Sequence, residues 1–241
     1  MSDIRTETFD YREGTTVLEG MIAWDAARAG KRPGVVIYPS WTGPGPHEAN
    51  SARKLAEMGY VAICADIFGK GIKPTPPKDS LAEMLKYMTN RPLLRARANA
   101  ALARLREHPQ CDAARVGAIG YCFGGATSLE LARSGADIRA AVSFHGALSS
   151  PTPADAKNIK APVLVLHGAD DPVVPKPEVD GFMKEMREGG VDCQFVSYVG
   201  VLHSFTDPSA GSDKSTPAAY DEKAARRSWA AMAEFFRETM G

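Results

Sequence analysis

Ile119-Gly120-Tyr121-Cys122-Phe123-Gly124-Gly125 is the stretch whose reading decides the fold. It has the form G-x-C-x-G, a nucleophile-elbow pattern with cysteine where most such turns carry serine. An apolar, β-branched run, Arg115-Val116-Gly117-Ala118-Ile119, precedes it, and a helix-forming run from Ala126 to Arg133 follows. Strand, sharp turn and helix are the context that gives the pattern meaning. Glycines at 120, 124 and 125 carry no Cβ, so the chain can turn sharply at Cys122 and the helix can pack close to neighbouring strands. The turn lifts the sulfur out of the sheet and aims the first N–H groups of the helix at whatever the sulfur attacks. A helix N-terminus favours negative charge, which suits a thiolate and an oxyanion alike. Acyl transfer is the chemistry these features support.

Outward from the elbow, short buried strands alternate with helices. Downstream, Ile138 to Phe144 and Pro162 to Leu166 read as strands ending at His145-Gly146 and His167-Gly168. A helix near Lys176 to Glu188, a last strand from Asp192 to Val199 and a closing helix from about Ala218 to Met240 complete that half. The closing helix carries Ala225, Trp229, Met232 and Phe236 at spacings of four, three and four, which predicts one docked apolar face. Upstream, Leu94, Ala98, Ala101, Leu102 and Leu105 recur at helical spacing within Leu93 to Glu107, after a shorter helix from about Leu81 to Met88. The Gly-, Lys- and Pro-rich segment from Ile67 to Asp79 reads either as a functional cover or as a surface excursion. Before it, Gly34 to Pro39, a helix from about His47 to Met58 and Tyr60 to Ala65 form one βαβ unit. Ile4 to Tyr11 and Thr16 to Trp24 predict an antiparallel hairpin at one sheet edge. The pattern is that of a single α/β domain over residues 1–241, without internal repeats or low-complexity tracts.

Composition narrows the partners. Lys and Arg total 29 against 29 Asp and Glu, so nothing points to nucleic acid or an anionic membrane. The first residues are polar and no apolar run approaches a membrane span, which predicts a cytoplasmic protein. Cysteines 64, 111, 122 and 193 are widely spaced, with no C-x-x-C pair, and read as thiols rather than a zinc site or disulfide framework. Cys64 reads as core, and Cys111 and Cys193 as bystanders.

A thiol nucleophile needs a base to share its proton and a carboxylate to orient that base. Asp171, in His167-Gly168-Ala169-Asp170-Asp171-Pro172, follows a strand end and is the favoured acid, with Asp170 its competitor. His203, in Gly200-Val201-Leu202-His203-Ser204-Phe205, follows the last strand and is the favoured base. Parallel sheets place their sites at the carboxyl ends of strands, where Cys122, Asp171 and His203 could converge. Of the other histidines, His47 and His108 read as solvated, His167 as structural, and His145 as a residue lining the pocket.

Gly-Tyr-Cys122-Phe-Gly-Gly, His-Gly-Ala-Asp-Asp171-Pro-Val-Val-Pro and Leu-His203-Ser-Phe together closely resemble the dienelactone hydrolase family, from about residue 15 to 240. The resemblance implies an α/β-hydrolase fold, with a mostly parallel central sheet of about eight strands and helices on both faces. It also implies a Cys-His-Asp triad, hydrolysis of an ester or lactone through a thioester, and neither metal nor cofactor. By position, the backbone N–H groups of Trp41 and Phe123 form the oxyanion hole. Two positions depart from the family. Ser40 stands where dienelactone hydrolases carry a glutamate that holds the resting thiol, and Asp207 stands where they carry an arginine for the substrate carboxylate. Arg91 or Arg95 could supply a replacement cation; Ser40, Phe68, Arg91, Arg95, His145 and Asp207 are therefore the candidate substrate-binding residues. The expected partner is a small-molecule ester or lactone, bound by a monomer or homodimer. A thiol-based redox sensor or binding protein on the same scaffold is the rival reading, since an accessible thiol of low pKa oxidises readily. A peptidase is a third, with no sequence feature marking a peptide groove.

Overall fold

A computed structural model describes residues 2–241. Two compact units follow one another along the chain, Met1–Ile119 and Gly120–Gly241. In the first, β1 (Ile4–Glu13) and β2 (Thr16–Asp25) pair antiparallel in the expected hairpin. β2 also pairs antiparallel with β4 (Val61–Cys64), and β4 pairs parallel with β3 (Arg32–Tyr38). Helix α1 (Pro46–Glu57) joins β3 to β4, and α2 (Lys78–Met88) and α3 (Arg91–Arg106) lie between β4 and β5 (Cys111–Tyr121) in the chain. In the second unit β6 (Ala140–Phe144), β7 (Val163–Gly168) and β8 (Cys193–Tyr198) pair parallel in succession. Its helices are α4 (Phe123–Arg133), α5 (Lys176–Gly189) and α6 (Glu222–Met240). The eight strands run in the order β1-β2-β4-β3-β5-β6-β7-β8.

Every residue of β3, β4, β6 and β7 is buried. That is why these strands read as continuous Val, Ile and Leu runs rather than as alternating ones. Each such side chain contributes about 1.5–3 kcal/mol on burial, and the strand ends thereby gain a rigid base. Among the described residues no helix is long and apolar enough to cross a membrane.

Several element ends differ from the sequence reading. α4 starts at Phe123, not Ala126, because the elbow itself supplies the N-cap. α6 starts at Glu222, where Asp221 accepts a bond from the Ala224 N–H at 2.9 Å; residue 218 instead forms a bridge with His203. The buried face of α6 is Ala224, Ser228, Met232, Phe235, Phe236 and Met240, so its N-terminal half is rotated by one residue from the expected stripe. Ser228 tolerates burial because its hydroxyl donates to the Ala225 carbonyl at 2.9 Å. His108 is half-buried rather than solvated: its ring lies 5.2 Å from Trp24, and burial, then the charges of Arg104 and Arg32, push its pKa down. His47 is also half-buried.

Candidate active site

Cys122 occupies the single residue between β5 and α4, with φ 54° and ψ −113°. Such a backbone is costly for a residue with a Cβ and persists only where surroundings enforce it. Here the Cys122 N–H donates to the Phe144 carbonyl (3.0 Å), and its own carbonyl accepts from Gly125 N–H (3.0 Å). Two glycines make the turn possible. A Cβ on Gly120 would sit 1.9 Å from the Gly124 carbonyl oxygen, and one on Gly125 would meet Ser143 Oγ at 2.6 Å and Gly146 Cα at 2.7 Å. Cys122 is half-buried, at the N-terminus of α4.

Asp171 follows β7 and is buried, whereas Asp170 is exposed. One carboxylate oxygen, Oδ1, accepts from Val173 N–H (2.8 Å) and Val174 N–H (3.1 Å). Oδ2 lies 2.7 Å from Nδ1 of His203. Of the two aspartates, it is Asp171 that meets the histidine. His203 is buried after β8, with Ala219 N–H donating to its carbonyl at 3.0 Å. Burial pulls the His203 pKa down, but the charge of Cys122 and the hydrogen bond and charge of Asp171 outweigh it, lifting the pKa to about 10. The Cys122 sulfur is near enough to act on this imidazole as a charge and as a hydrogen-bonding group. An imidazole held by a carboxylate on one side and flanked by a sulfur on the other can store and return a proton.

Other residues of the second unit surround this group. His145, 2% exposed, places Nε2 2.7 Å from Thr206 Oγ1 and its ring 5.3 Å from that of His203. Its ring is thus buried against that of His203. His167 packs its ring 5.5 Å from Phe195, and burial pushes its pKa down while Asp171 pulls it up. Asp207 is half-buried; its Oδ1 accepts from Ser209 N–H (2.9 Å), capping a short 3-10 turn. Among the described residues no three His, Cys, Asp or Glu side chains group to hold a metal ion.

The remaining candidates lie in the first unit. Trp41 is half-buried in the loop between β3 and α1. Glu48, a residue the sequence reading passed over, braces that loop. Buried at 3% exposure, it accepts from Ser40 N–H (3.2 Å) through Oε1 and from Gly45 N–H (3.0 Å) through Oε2. Its signal was its place three residues after Gly45 at the head of α1, the reciprocal position of a capping box. Ser40 Oγ lies 3.0 Å from Thr42 Oγ1. Phe68 is buried, its ring 5.5 Å from Tyr87, whose hydroxyl donates to the Phe68 carbonyl. Arg91 and Arg95 stand one turn apart on α3; Arg91 is buried with Nη1 2.9 Å from Met88 Sδ, and Arg95 is half-buried.

A mostly parallel eight-stranded sheet with a strand-Cys-helix turn and an Asp–His pair after later strands defines the α/β-hydrolase class. Sequence and structure comparisons narrow it. The model of the dienelactone hydrolase family matches residues 18–240. The crystal structure of a dienelactone hydrolase-like promiscuous phosphotriesterase from metagenomic libraries is 41% identical, with a TM-score of 0.94 and 99% of each chain covered. An uncharacterized protein of Caenorhabditis elegans is 40% identical over 150 residues, 60% of this chain and 93% of its own. A carboxymethylenebutenolidase homolog of Mus musculus is 28% identical over 163 residues, 66% of this chain and 64% of its own. The chain belongs to the dienelactone hydrolase family, and it is a hydrolase of the ester and lactone type.

Proposed function

We propose that this chain cleaves carboxylic esters and lactones with Cys122 as nucleophile, His203 as proton carrier and Asp171 as the carboxylate that orients it. The observation that carries this reading is the 2.7 Å Asp171–His203 contact on an imidazole whose pKa Cys122 also raises. The thiolate attacks the carbonyl carbon; a C–S bond forms and the carbonyl electron pair moves to oxygen. The backbone N–H of Phe123, at the head of α4, receives that oxyanion. Collapse breaks the C–O bond, His203 gives its Nε2 proton to the leaving oxygen, and a thioester remains. Neutral His203 then takes a proton from water, the hydroxide attacks the thioester, and the thiolate leaves beside a restored imidazolium. In this reading residues 1–241 act as one domain, in the cytoplasm, as a monomer or homodimer, and every step uses the chain's own groups.

Substrates with good leaving groups and no negative charge fit best, because the family's arginine is replaced by Asp207, which repels an anion. Phosphotriesters are neutral and belong in the substrate panel, given the activity named for the 41%-identical solved relative. The redox reading is disfavoured. Burial drives the other three thiols away from reactivity: Cys64 well above its ordinary value, Cys111 up to about 11 and Cys193 up to about 12. None is poised to resolve a sulfenic acid on Cys122.

The test is rapid-mixing with p-nitrophenyl acetate and intact-protein mass spectrometry. The wild type should release a burst of p-nitrophenolate and carry an acetyl group on Cys122, and Cys122→Ala should do neither. Survival of most turnover in Cys122→Ala overturns the mechanism.

A further inference from the structure

We infer that His145 is a positioning residue for His203, acting through Thr206; the inference rests on the triad reading above. Among the described residues only three non-glycine residues have positive φ: Cys122 at 54°, His145 at 40° and Ser204 at 55°. One is the proposed nucleophile and one directly follows the proposed base. Strained backbone collects where surroundings fix a functional geometry, and the third member of this set has so far no role.

The contacts of His145 give it one. It follows β6, directly after Phe144, whose carbonyl holds the Cys122 N–H. Its own N–H donates to the Leu166 carbonyl of β7 at 2.8 Å, on the strand that leads to Asp171. Its Nε2 lies 2.7 Å from Thr206 Oγ1, three residues beyond His203. His145 and Phe144 beside it therefore touch the three segments that carry Cys122, Asp171 and His203. Thr206 sits inside the turn that Ser204 opens and that the Asp207 N–H closes on the Ser204 carbonyl at 3.0 Å. Holding Thr206 holds that turn, and with it the backbone from which the His203 ring projects. The His145 ring meets His203 and Phe205 edge-on at 5.3 and 5.1 Å, which limits rotation of the imidazole about its bond to Asp171. The turn after β6 cannot yield toward α4, since Gly125 and Gly146 already touch too closely for a Cβ.

A substrate-contacting role would need an accessible ring, and His145 is buried. A role in stability alone would not place its Nε2 on the segment that follows the base.

The test uses the full chain with Thr206→Val, Thr206→Ser and His145→Phe. Thr206→Val, at a half-buried position, keeps shape and removes the hydroxyl, so it remains informative if His145→Phe fails to fold. Thr206→Val should lower the acylation rate about tenfold, the scale of a small misplacement of a catalytic group. KM should stay within about twofold, and Thr206→Ser should restore the wild-type rate. The pH profile of Cys122 alkylation by iodoacetamide should shift in Thr206→Val and His145→Phe, because the imidazole is no longer held against the thiol. Combining the two substitutions should cost no more than the worse of them. Unchanged acylation and alkylation in Thr206→Val overturns the inference, and so does a rise in KM with kcat held in His145→Phe, which would mark a substrate contact. Cys122→Ala run in parallel separates this failure from that of the triad: if it retains turnover, the triad reading falls and this inference with it.

Discussion

Asp171→Asn isolates what the carboxylate does for the imidazole. Asp171 Oδ1 is committed to two backbone N–H groups, of Val173 and Val174, so an asparagine at this position keeps its carbonyl oxygen there and turns its NH2 toward Nδ1 of His203. Facing a donor, Nδ1 becomes an acceptor, the ring proton moves to Nε2, and that nitrogen can no longer accept from water. The charge is lost as well. The rise of the His203 pKa from 6.5 to about 10 corresponds to about 5 kcal/mol of preference for imidazolium. Removing the carboxylate leaves only Cys122 to oppose burial, and the pKa should fall by about 1 to 3. Wrong tautomer and lost charge together should lower kcat/KM by about 10³- to 10⁴-fold, with KM little changed. Single-turnover p-nitrophenyl acetate kinetics, with thermal melting to establish folding, provide the assay. Asp170→Asn is the internal control, since that side chain is exposed, and should stay within about twofold of wild type. Activity of Asp171→Asn within tenfold of wild type, or equal damage from both substitutions, would refute the reasoning.

Two further outcomes can be measured, one at the site and one away from it. The raised His203 pKa makes a contribution to stability that is fully present below 6.5 and is lost as pH rises through about 10. Melting temperature should therefore decline across that window in the wild type and decline less in Cys122→Ala, where the supporting charge is gone; parallel slopes would contradict the pairing. Away from the site, buried Arg133 on α4 is held by Glu185 Oε1 and Oε2 (2.8 and 2.7 Å), Glu130 Oε1 (3.0 Å) and the Leu148 carbonyl (2.9 Å). Arg133→Met would strand two buried carboxylates and should destabilise by about 3–5 kcal/mol, measured by urea unfolding, and adding Glu185→Leu should recover part of the loss.

What could be read from the sequence was whatever depends on neighbours along the chain. The strands β3, β4, β6 and β7 were legible because burial on both faces demands unbroken apolar runs, and α3 because one buried stripe recurs every three or four residues. The elbow was legible because Gly120 and Gly125 have no room for a Cβ, a demand that leaves a mark in composition. Asp171 could not be separated from Asp170 in sequence: both lie in one turn, and only the fold decides which carboxylate faces His203. Glu48, Thr206 and the supporting role of His145 were hidden for a related reason. Each acts across space on a segment that local periodicity does not connect to it. The buried face of α6 was misjudged because Ser228 satisfies its hydroxyl within its own helix and can then be buried like an alanine.

The source of the His203 pKa bears on how one residue could serve two opposite roles. Cys122 is the larger of the two influences that raise it, ahead of Asp171. In the proposed mechanism a thiolate beside the ring keeps the proton on His203 in the free enzyme, ready for a leaving oxygen. Acylation turns that sulfur into a neutral thioester, and the support it lent to the imidazolium disappears while burial remains. The pKa must then fall, so the residue that has just acted as an acid becomes a base when water arrives. Expulsion of the thiolate in the last step restores the charge and the proton together. A triad with a neutral serine nucleophile lacks this resting charge and so cannot modulate its histidine in this way. The substitution Cys122→Ser is therefore expected to lower the His203 pKa toward its ordinary range, observable in the imidazole resonances. An unchanged resonance titration would assign the raised pKa to Asp171 alone and remove the basis for the exchange of roles.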